Sequence, residues 1–199
     1  MTTAPPETPF NPWNGATFSA DHRHRYVLWR IWAAGPLLAV IGLNPSTADE
    51  ERNDPTVRRA IGYARRWGCA GLVMLNLYGF RATDPQAMRQ APDPMGPQNW
   101  DAVLSQTQGV LADGGALLVA WGSHGTHGGA GARMRGQLEA AGIACACLGY
   151  TQGGQPRHPL YLAGASVPEA YLGDGGRLVT QWDAETGRVV WPTPGEPRG

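Results

Sequence analysis

The sequence predicts an α/β protein: a three-layer α/β/α sandwich with a mostly parallel central sheet, plus N-terminal and C-terminal β-hairpins. Short apolar runs alternate along the chain with longer stretches whose apolar residues recur at helical spacing. Strands that alternate with helices pair in parallel through right-handed crossovers, which places helices on both faces of one sheet.

The chain of 199 residues is long enough to bury a substantial core in a single domain. We expect an irregular lead-in over 1–20, an α/β domain over 21–165 and a C-terminal β-hairpin extension of that domain over 166–199. The formal net charge is zero, so bulk electrostatics gives no support to avid, nonspecific nucleic-acid binding. All basic side chains besides histidine are Arg, a bias explained either by a GC-rich genome or by phosphate recognition.

The first predicted strand covers 26–32, where aromatic and β-branched side chains predominate. A Gly35-Pro36 turn and a second apolar run over 37–43 follow it. The two runs together indicate a hairpin that enters the core.

The first predicted helix begins at Asp54, an N-cap, with Pro55 at the first helical position. It reaches about residue 67 and ends at Gly68. Its apolar residues fall on one face, and the opposite face carries arginines that form either a solvated surface or a phosphate-binding stripe. These arginines are Arg58, Arg59, Arg65 and Arg66.

The later elements continue the alternation. Cys145 and Cys147 alternate along the last strand of the α/β domain, and we interpret both as buried small hydrophobes rather than a redox or metal pair. In order, we predict a strand over 71–78, helices over 86–90 and 98–112, a strand over 116–121, a helix over 132–141, a strand over 143–149 and a hairpin over 177–191.

The N-terminal residues lack the basic start and apolar run of a secretion signal, and no segment approaches the roughly 20 apolar residues of a membrane span. We therefore expect a cytoplasmic protein without membrane contact. We predict no cofactor and no metal: His124 and His127 form an H-x-x-H motif, but no third ligand stands at a diagnostic spacing.

Polar and aromatic residues follow the carboxyl ends of four predicted strands, the edge at which open α/β sheets bind ligands. We therefore predict that they converge on one cleft. They are Asn44, Pro45, Ser46, Asn76, Trp121, His124, Arg157, His158 and Tyr161.

Three of these residues suggest specific chemistry. Asn44 either orients a water or binds an amide-bearing ring, or it only holds its own loop together in an Asx-type turn. Asn76 lies in an apolar run, where its amide pairs either with a nucleobase edge or with neighbouring backbone. His158 stands between Pro156 and Pro159, and either stabilises a developing anion or is structural.

These motifs resemble a bacterial family of uncharacterised function. Its members share an LNPSTAD segment, a D-P-T-x-R-R helix start, a strand ending in N-L, a W-G-x-H-G segment and a closing P-R-H-P-L-Y. All five are present here, in order, over roughly residues 25 to 162.

More distantly, the spacing is similar to that of the uracil-DNA glycosylase superfamily, itself a three-layer α/β sandwich. The resemblance implies that Asn44 positions the attacking water, that Asn76 reads the base, and that His158 stabilises the departing base anion. The superfamily loop that wedges into a DNA duplex is not reproduced, because Leu160 and Tyr161 follow Pro159 directly.

We therefore predict a glycosylase-like protein that acts on an N-glycosidic bond of a nucleobase in nucleic acid or nucleotide. Asn44 and His158 are the predicted catalytic residues, and the other seven cleft residues bind substrate. The predicted partner is a nucleobase-containing ligand, either free or in DNA or RNA, without a prediction of oligomeric state. The alternatives are a non-catalytic nucleotide or modified-base binding module, and a hydrolase or transferase that binds a small phosphorylated metabolite through Arg81 and Arg157.

Overall fold

The computed structural model describes residues 13–191 as nine strands and five α-helices. The strands are β1 (Asn14–Phe18), β2 (Arg25–Ile31), β3 (Leu37–Gly42), β4 (Gly71–Asn76), β5 (Ala116–Val119), β6 (Cys145–Cys147), β7 (Glu169–Leu172), β8 (Trp182–Asp183) and β9 (Arg188–Val189). The helices are α1 (Pro55–Arg66), α2 (Pro85–Gln90), α3 (Asn99–Ala112), α4 (Ala130–Ala140) and α5 (Arg177–Thr180).

Strands β1 to β7 form one sheet in the order β1-β2-β4-β3-β5-β6-β7. The four central strands, β4, β3, β5 and β6, are parallel to one another. β2 joins one edge of this group antiparallel and carries β1 with it, while β7 joins the other edge antiparallel. The predicted α/β class with a mostly parallel central sheet is confirmed.

Helices cover both faces of this sheet. From β3 the chain passes through α1 to β4 on one side, then through α3 to β5 on the other side of β3. Because parallel crossovers keep one hand, this reversal of direction puts α1 and α3 on opposite faces. One cluster of buried side chains accordingly includes α1 and α5, and the other includes α3 and α4.

The central strands are continuous apolar runs because their alternate side chains are buried on opposite faces of the sheet. In β3, Leu38 and Val40 face the α1 side, and Ala39 and Ile41 face the α3 side. A strand covered on both faces needs apolar residues at every position. Cys145 is likewise fully buried, and burial raises the pKa of its thiol to about 12, so it behaves as a small hydrophobe as predicted.

Helix α1 begins and ends as predicted. The Asp54 carboxylate accepts a hydrogen bond from the backbone N–H of Val57 at 2.8 Å, and Pro55 occupies the first helical position. The helix terminates through Trp67 at Gly68, whose φ of +79° suits glycine.

The N-terminal hairpin is formed by a different pair of strands from the one predicted. β1 pairs with β2, and β4 lies between β2 and β3, so the runs over 26–32 and 37–43 are not neighbours. β3 is apolar on both faces and takes two parallel partners, which leaves β2 to the outer position. β1 also corrects the expectation of irregular structure up to residue 20; residues 1–12 of that lead-in lie outside the described part.

The C-terminal hairpin is shorter than predicted. Arg177–Thr180 is helical as α5, because Leu178 packs into the α1-side core, and only β8 and β9 pair. Ahead of them β7 extends the main sheet, which the sequence pattern did not indicate. Residues 192–199 of the predicted extension lie outside the described range.

Across residues 13–191, every helix is too short or too polar to cross a bilayer.

Two glycines near the start of β5 give a direct test of the packing. A Cβ at Gly115 would lie 2.4 Å from the Leu37 carbonyl oxygen, whereas a Cβ at Gly109 on α3 would meet nothing within 4 Å. We expect Gly115→Ala to lower the free energy of unfolding by about 1–3 kcal/mol through overpacking. Gly109→Ala should raise it by about 0.5–1 kcal/mol. Urea denaturation of the two variants measures both; equal midpoints would contradict the packing of β5 against β3.

Candidate functional site

A cleft of about 470 Å³ opens at the carboxyl ends of β3 and β5, where the strand order reverses and α1 begins. Pro45 and Asn76 are absent from its lining. The other predicted site residues all line it, namely Asn44, Ser46, Trp121, His124, Arg157, His158 and Tyr161.

Two buried arginines of β2 hold the loop between β3 and α1. Arg30 donates through Nε to Asn53 Oδ1 at 2.8 Å and through Nη2 to the Asp49 carbonyl at 2.5 Å. Arg25 donates through Nη1 to the Ala48 carbonyl at 2.7 Å. This role was not predicted from the sequence, although two arginines within an otherwise apolar strand, RYVLWRI, were a signal for it.

Arg25 keeps its charge in this environment. It is 2 % exposed, and burial lowers the pKa of its guanidinium to about 10, against the opposing effect of the Asp54 charge. It is therefore a fixed cation beneath the N-terminus of α1 at neutral pH.

The side-chain amide of Asn44 holds its loop in place through hydrogen bonds and keeps one acceptor atom, Oδ1, unused by them. Its Nδ2 donates to the Ala82 carbonyl at 2.8 Å and to the Pro45 carbonyl at 3.0 Å, with a longer bond to Phe80. These bonds occupy the amide hydrogens, so Oδ1 is the atom left for a ligand in the cleft. Pro45 is buried, and its carbonyl also accepts from the Ala82 N–H at 2.9 Å.

His158 has a defined tautomer. Its Nδ1 accepts a hydrogen bond from the backbone N–H of Leu160 at 3.4 Å, which leaves Nε2 to carry the proton of the neutral ring. Burial lowers the pKa of His158 although the Asp54 charge acts in the opposite direction. The ring is therefore neutral at pH 7, with a donor at Nε2. Gly122, at φ +72°, makes room for it, since a Cβ there would lie 3.2 Å from the His158 Cβ.

Asp54 lines the cleft in addition to capping α1. Oδ1 is used by the cap, and within residues 13–191 Oδ2 has no hydrogen-bond partner. Its charge acts on both Arg25 and His158. Only the capping role was predicted for Asp54, because the local sequence pattern of a helix cap does not show what the second carboxylate oxygen faces.

Trp121 supports the floor of the cleft. Its side chain is 1 % exposed, and its Nε1 donates to Gln155 Oε1 at 2.9 Å. A Cβ at Gly125 would lie only 2.1 Å from the indole, so this glycine lets the following loop fold over the ring. Trp121 thereby joins the loops after β5 and β6 and leaves little indole surface for a ligand.

Asn76 lies beneath the cleft, not on its wall. It is 2 % exposed, and its Nδ2 has no hydrogen-bond partner among residues 13–191. Its Oδ1 covers Gly42, where a Cβ would be 3.1 Å away. The base-reading position implied by the resemblance is thus separated from the cleft in this structure.

The rim of the cleft consists of exposed side chains of different kinds: a phenol ring, a guanidinium and an imidazole. Tyr161 is 81 % exposed, and its ring centroid lies 5.6 Å from that of His158. The Arg157 guanidinium has no hydrogen-bond or ion-pair partner in the described part of the chain, whereas its backbone N–H donates to the Gly149 carbonyl at 2.8 Å. His124 Nδ1 lies 3.1 Å from Arg89 Nη2. Within 13–191 no group of three or more potential metal-ligating side chains is assembled.

Residues 25–160 match the family described as a protein of unknown function, DUF1643. The match spans more than half of the chain, so this protein belongs to that family. The search of curated proteins found no match. The search of solved structures found none either.

The arginine contacts to the β3–α1 loop predict a large effect of one substitution. Arg30→Met removes the donors to Asp49 and Asn53 and leaves partly buried acceptors unpaired, so we expect the free energy of unfolding to fall by roughly 1–3 kcal/mol. Arg188→Met, at an exposed position of β9, should change it by less than about 0.5 kcal/mol. Chemical denaturation measures both. Equal stability of the two variants would show that the loop does not depend on Arg30.

The environment of His158 predicts a titration. Its pKa should lie below the ordinary value of 6.5, and Asp54→Asn should lower it further, because the Asp54 charge favours the imidazolium. Asparagine caps helices as well as aspartate does, so α1 should persist. Since the folded-state pKa is depressed, stability is lost as the pH falls through the unfolded-state value, and His158→Asn should reduce that loss.

Ring chemical shifts followed by NMR across the acid range give the pKa in both proteins. A His158 pKa at or above that of an unstructured peptide would contradict the half-buried, neutral ring. A pKa unmoved by Asp54→Asn would contradict its coupling to the carboxylate.

Proposed function

We propose that this protein is a glycosylase-like enzyme that hydrolyses the N-glycosidic bond of a nucleobase in nucleic acid or nucleotide. The observation that supports it is the pairing, in one cleft, of the Asn44 Oδ1 acceptor with the neutral, half-buried His158. Such a reaction requires an oriented water on one side of the sugar and stabilisation of the leaving base on the other.

The fold agrees with this proposal at the level of architecture. A parallel sheet with helices on both faces and a cleft at its switch point is what a three-layer sandwich of the uracil-DNA glycosylase type would present. A fold alone does not specify chemistry, so the proposal depends on the side chains in the cleft.

In the proposed reaction, Asn44 Oδ1 accepts a hydrogen bond from a water and orients its oxygen toward C1′ of the sugar. The water oxygen forms the new bond to C1′, and the bond from C1′ to the base nitrogen breaks with its electron pair passing to the base. His158 Nε2–H stabilises the negative charge that develops on the base. The water's proton is released to solvent, and the base takes up a proton on leaving.

The remaining cleft residues would bind the substrate. The exposed Tyr161 ring offers a stacking surface beside His158, and Ser46 contributes a hydroxyl. Asp54, with one carboxylate oxygen that has no partner among residues 13–191, would favour positive charge developing on the sugar. The hydrogen bond between Trp121 and Gln155 holds the loop that carries His158 in position beside these groups.

The test is base release from a panel of single- and double-stranded oligonucleotides with uracil, hypoxanthine, xanthine, and oxidised or alkylated bases, with free nucleosides alongside. We expect abasic sites, or free base from nucleosides, on at least one substrate. His158→Asn keeps an acceptor for the Leu160 N–H but lacks the Nε2 donor, and should lower kcat by roughly 10²–10³. Asn44→Ala should also abolish most activity.

The matched control is His127→Asn, which changes a histidine that does not line the cleft and should retain full activity. Thermal unfolding of each variant separates loss of fold from loss of chemistry. Full activity in both Asn44→Ala and His158→Asn would refute the proposed roles. Calorimetric binding of a base or nucleotide without product would identify a binding module instead.

A further inference from the structure

A groove of about 640 Å³ runs along α1 beside the cleft. Three arginines of the helix line it, Arg58, Arg59 and Arg66. Pro55 and Leu160 line both the groove and the cleft, so the two adjoin at the N-terminal end of the helix.

The groove carries positive charge that the described chain does not neutralise. Among residues 13–191, no carboxylate forms an ion pair with Arg58, Arg59 or Arg66. Arg58 donates to the Asn53 carbonyl, which leaves its charge uncompensated. Arg65, by contrast, lies outside the groove and stacks on the Trp32 ring at 5.1 Å. An anionic ligand would relieve the repulsion among three cations on one helix face.

The arrangement suits a chain of phosphates better than a single one. Arg59 and Arg66 are seven residues apart, which places them two helical turns, or about 10 Å, from each other along α1. The planar guanidinium binds phosphate oxygens bidentately. Here the guanidinium groups follow one another along the groove, away from the cleft. A mononucleotide in the cleft would leave Arg66 without a ligand.

We propose that this groove binds the sugar-phosphate backbone of a single-stranded nucleic acid whose base enters the adjoining cleft. The inference rests on the proposed function and specifies its substrate as polymeric. The exposed Tyr161 at the shared rim supplies the aromatic stacking surface that single-strand binders combine with cationic grooves. A base in a single strand also reaches the cleft without extrusion from a duplex.

Because the net charge of the protein is zero, we expect only the groove arginines to contact phosphates, and we expect the affinity to be moderate. Each phosphate contact to a single strand contributes about −0.7 to the slope of log K against log salt concentration. Loss of two contacts should therefore reduce the magnitude of that slope by about 1.4.

The experiment is fluorescence anisotropy with a labelled DNA strand of about 12 nucleotides, its RNA counterpart and the DNA annealed to its complement. The protein is the full chain carrying His158→Asn, so that binding is read without turnover. Affinity is measured between about 50 and 200 mM salt. At the lower salt concentration, the double variant Arg59→Gln/Arg66→Gln should bind either single strand at least about tenfold more weakly than its parent. Its plot of log K against log salt concentration should also have the smaller slope.

The matched control is Arg133→Gln/Arg135→Gln, which removes the same charge from exposed positions of α4 on the opposite face of the sheet and from neither cavity. Equal affinity of the two double variants overturns the proposal, and so does absence of single-strand binding by the parent protein. Binding to the duplex tighter than to either single strand overturns it as well. Base release from free nucleosides by the unsubstituted chain would keep the proposed function intact even when these binding results overturn the groove proposal, because a nucleoside has no phosphate to contact the arginines.

Discussion

The loop between β3 and α1 carries backbone carbonyls that no strand or helix pairs, and the site depends on how they are satisfied. An unpaired buried carbonyl costs about as much as a lost hydrogen bond, so this segment needs donors from elsewhere in the protein. Arg25 and Arg30 provide them from β2, the strand that precedes β3 in the chain but is separated from it in the sheet by β4. Because the guanidinium has five N–H donors in a rigid fork, Arg30 alone contacts several acceptors of the loop at once. The start of the loop, Asn44, and its end, Asp54, are thereby held at the same cleft.

The topology of the sheet then decides what meets across that cleft. The strand order reverses at β3, so the loops after β3 and β5 diverge and leave a crevice between them. The loop after β6 closes it from one side, and the hydrogen bond from Trp121 to Gln155 ties that loop to the one after β5. His158 follows in this tied segment, which explains how a residue in a proline-flanked loop has a defined ring orientation. The two proposed catalytic groups thus come from loops that are positioned by independent contacts.

Local signals in the sequence predicted the helices and central strands well, and long-range pairing less well. Asp54, Pro55 and Gly68 mark the ends of α1 because caps and φ preferences act within a few residues. The hairpin assigned to 26–32 and 37–43 was wrong because β4, which separates the two strands, lies far along the chain, and no local pattern encodes that competition. For the site, seven of the nine residues predicted from the strand ends line the cleft. The rule that ligands bind at strand ends placed Asn76 at the correct edge of the sheet, but it does not predict which face of the sheet a side chain lies on. Asn76 shares a face with Met74, toward α1, and is covered there.

The charges on α1 indicate how a nucleotide unit would be divided between the two cavities. A helix N-terminus ordinarily attracts phosphate, but here the Asp54 carboxylate already occupies that end and would repel a second anion. The cleft beside it therefore favours an uncharged group such as a base, which also suits the neutral His158. On α1, positive charge without an ion-pair partner among residues 13–191 begins one turn later, at Arg58 and Arg59, and lies in the groove. This separation leaves the capped end for a base and the arginine face for phosphates, as a base joined to a backbone would require.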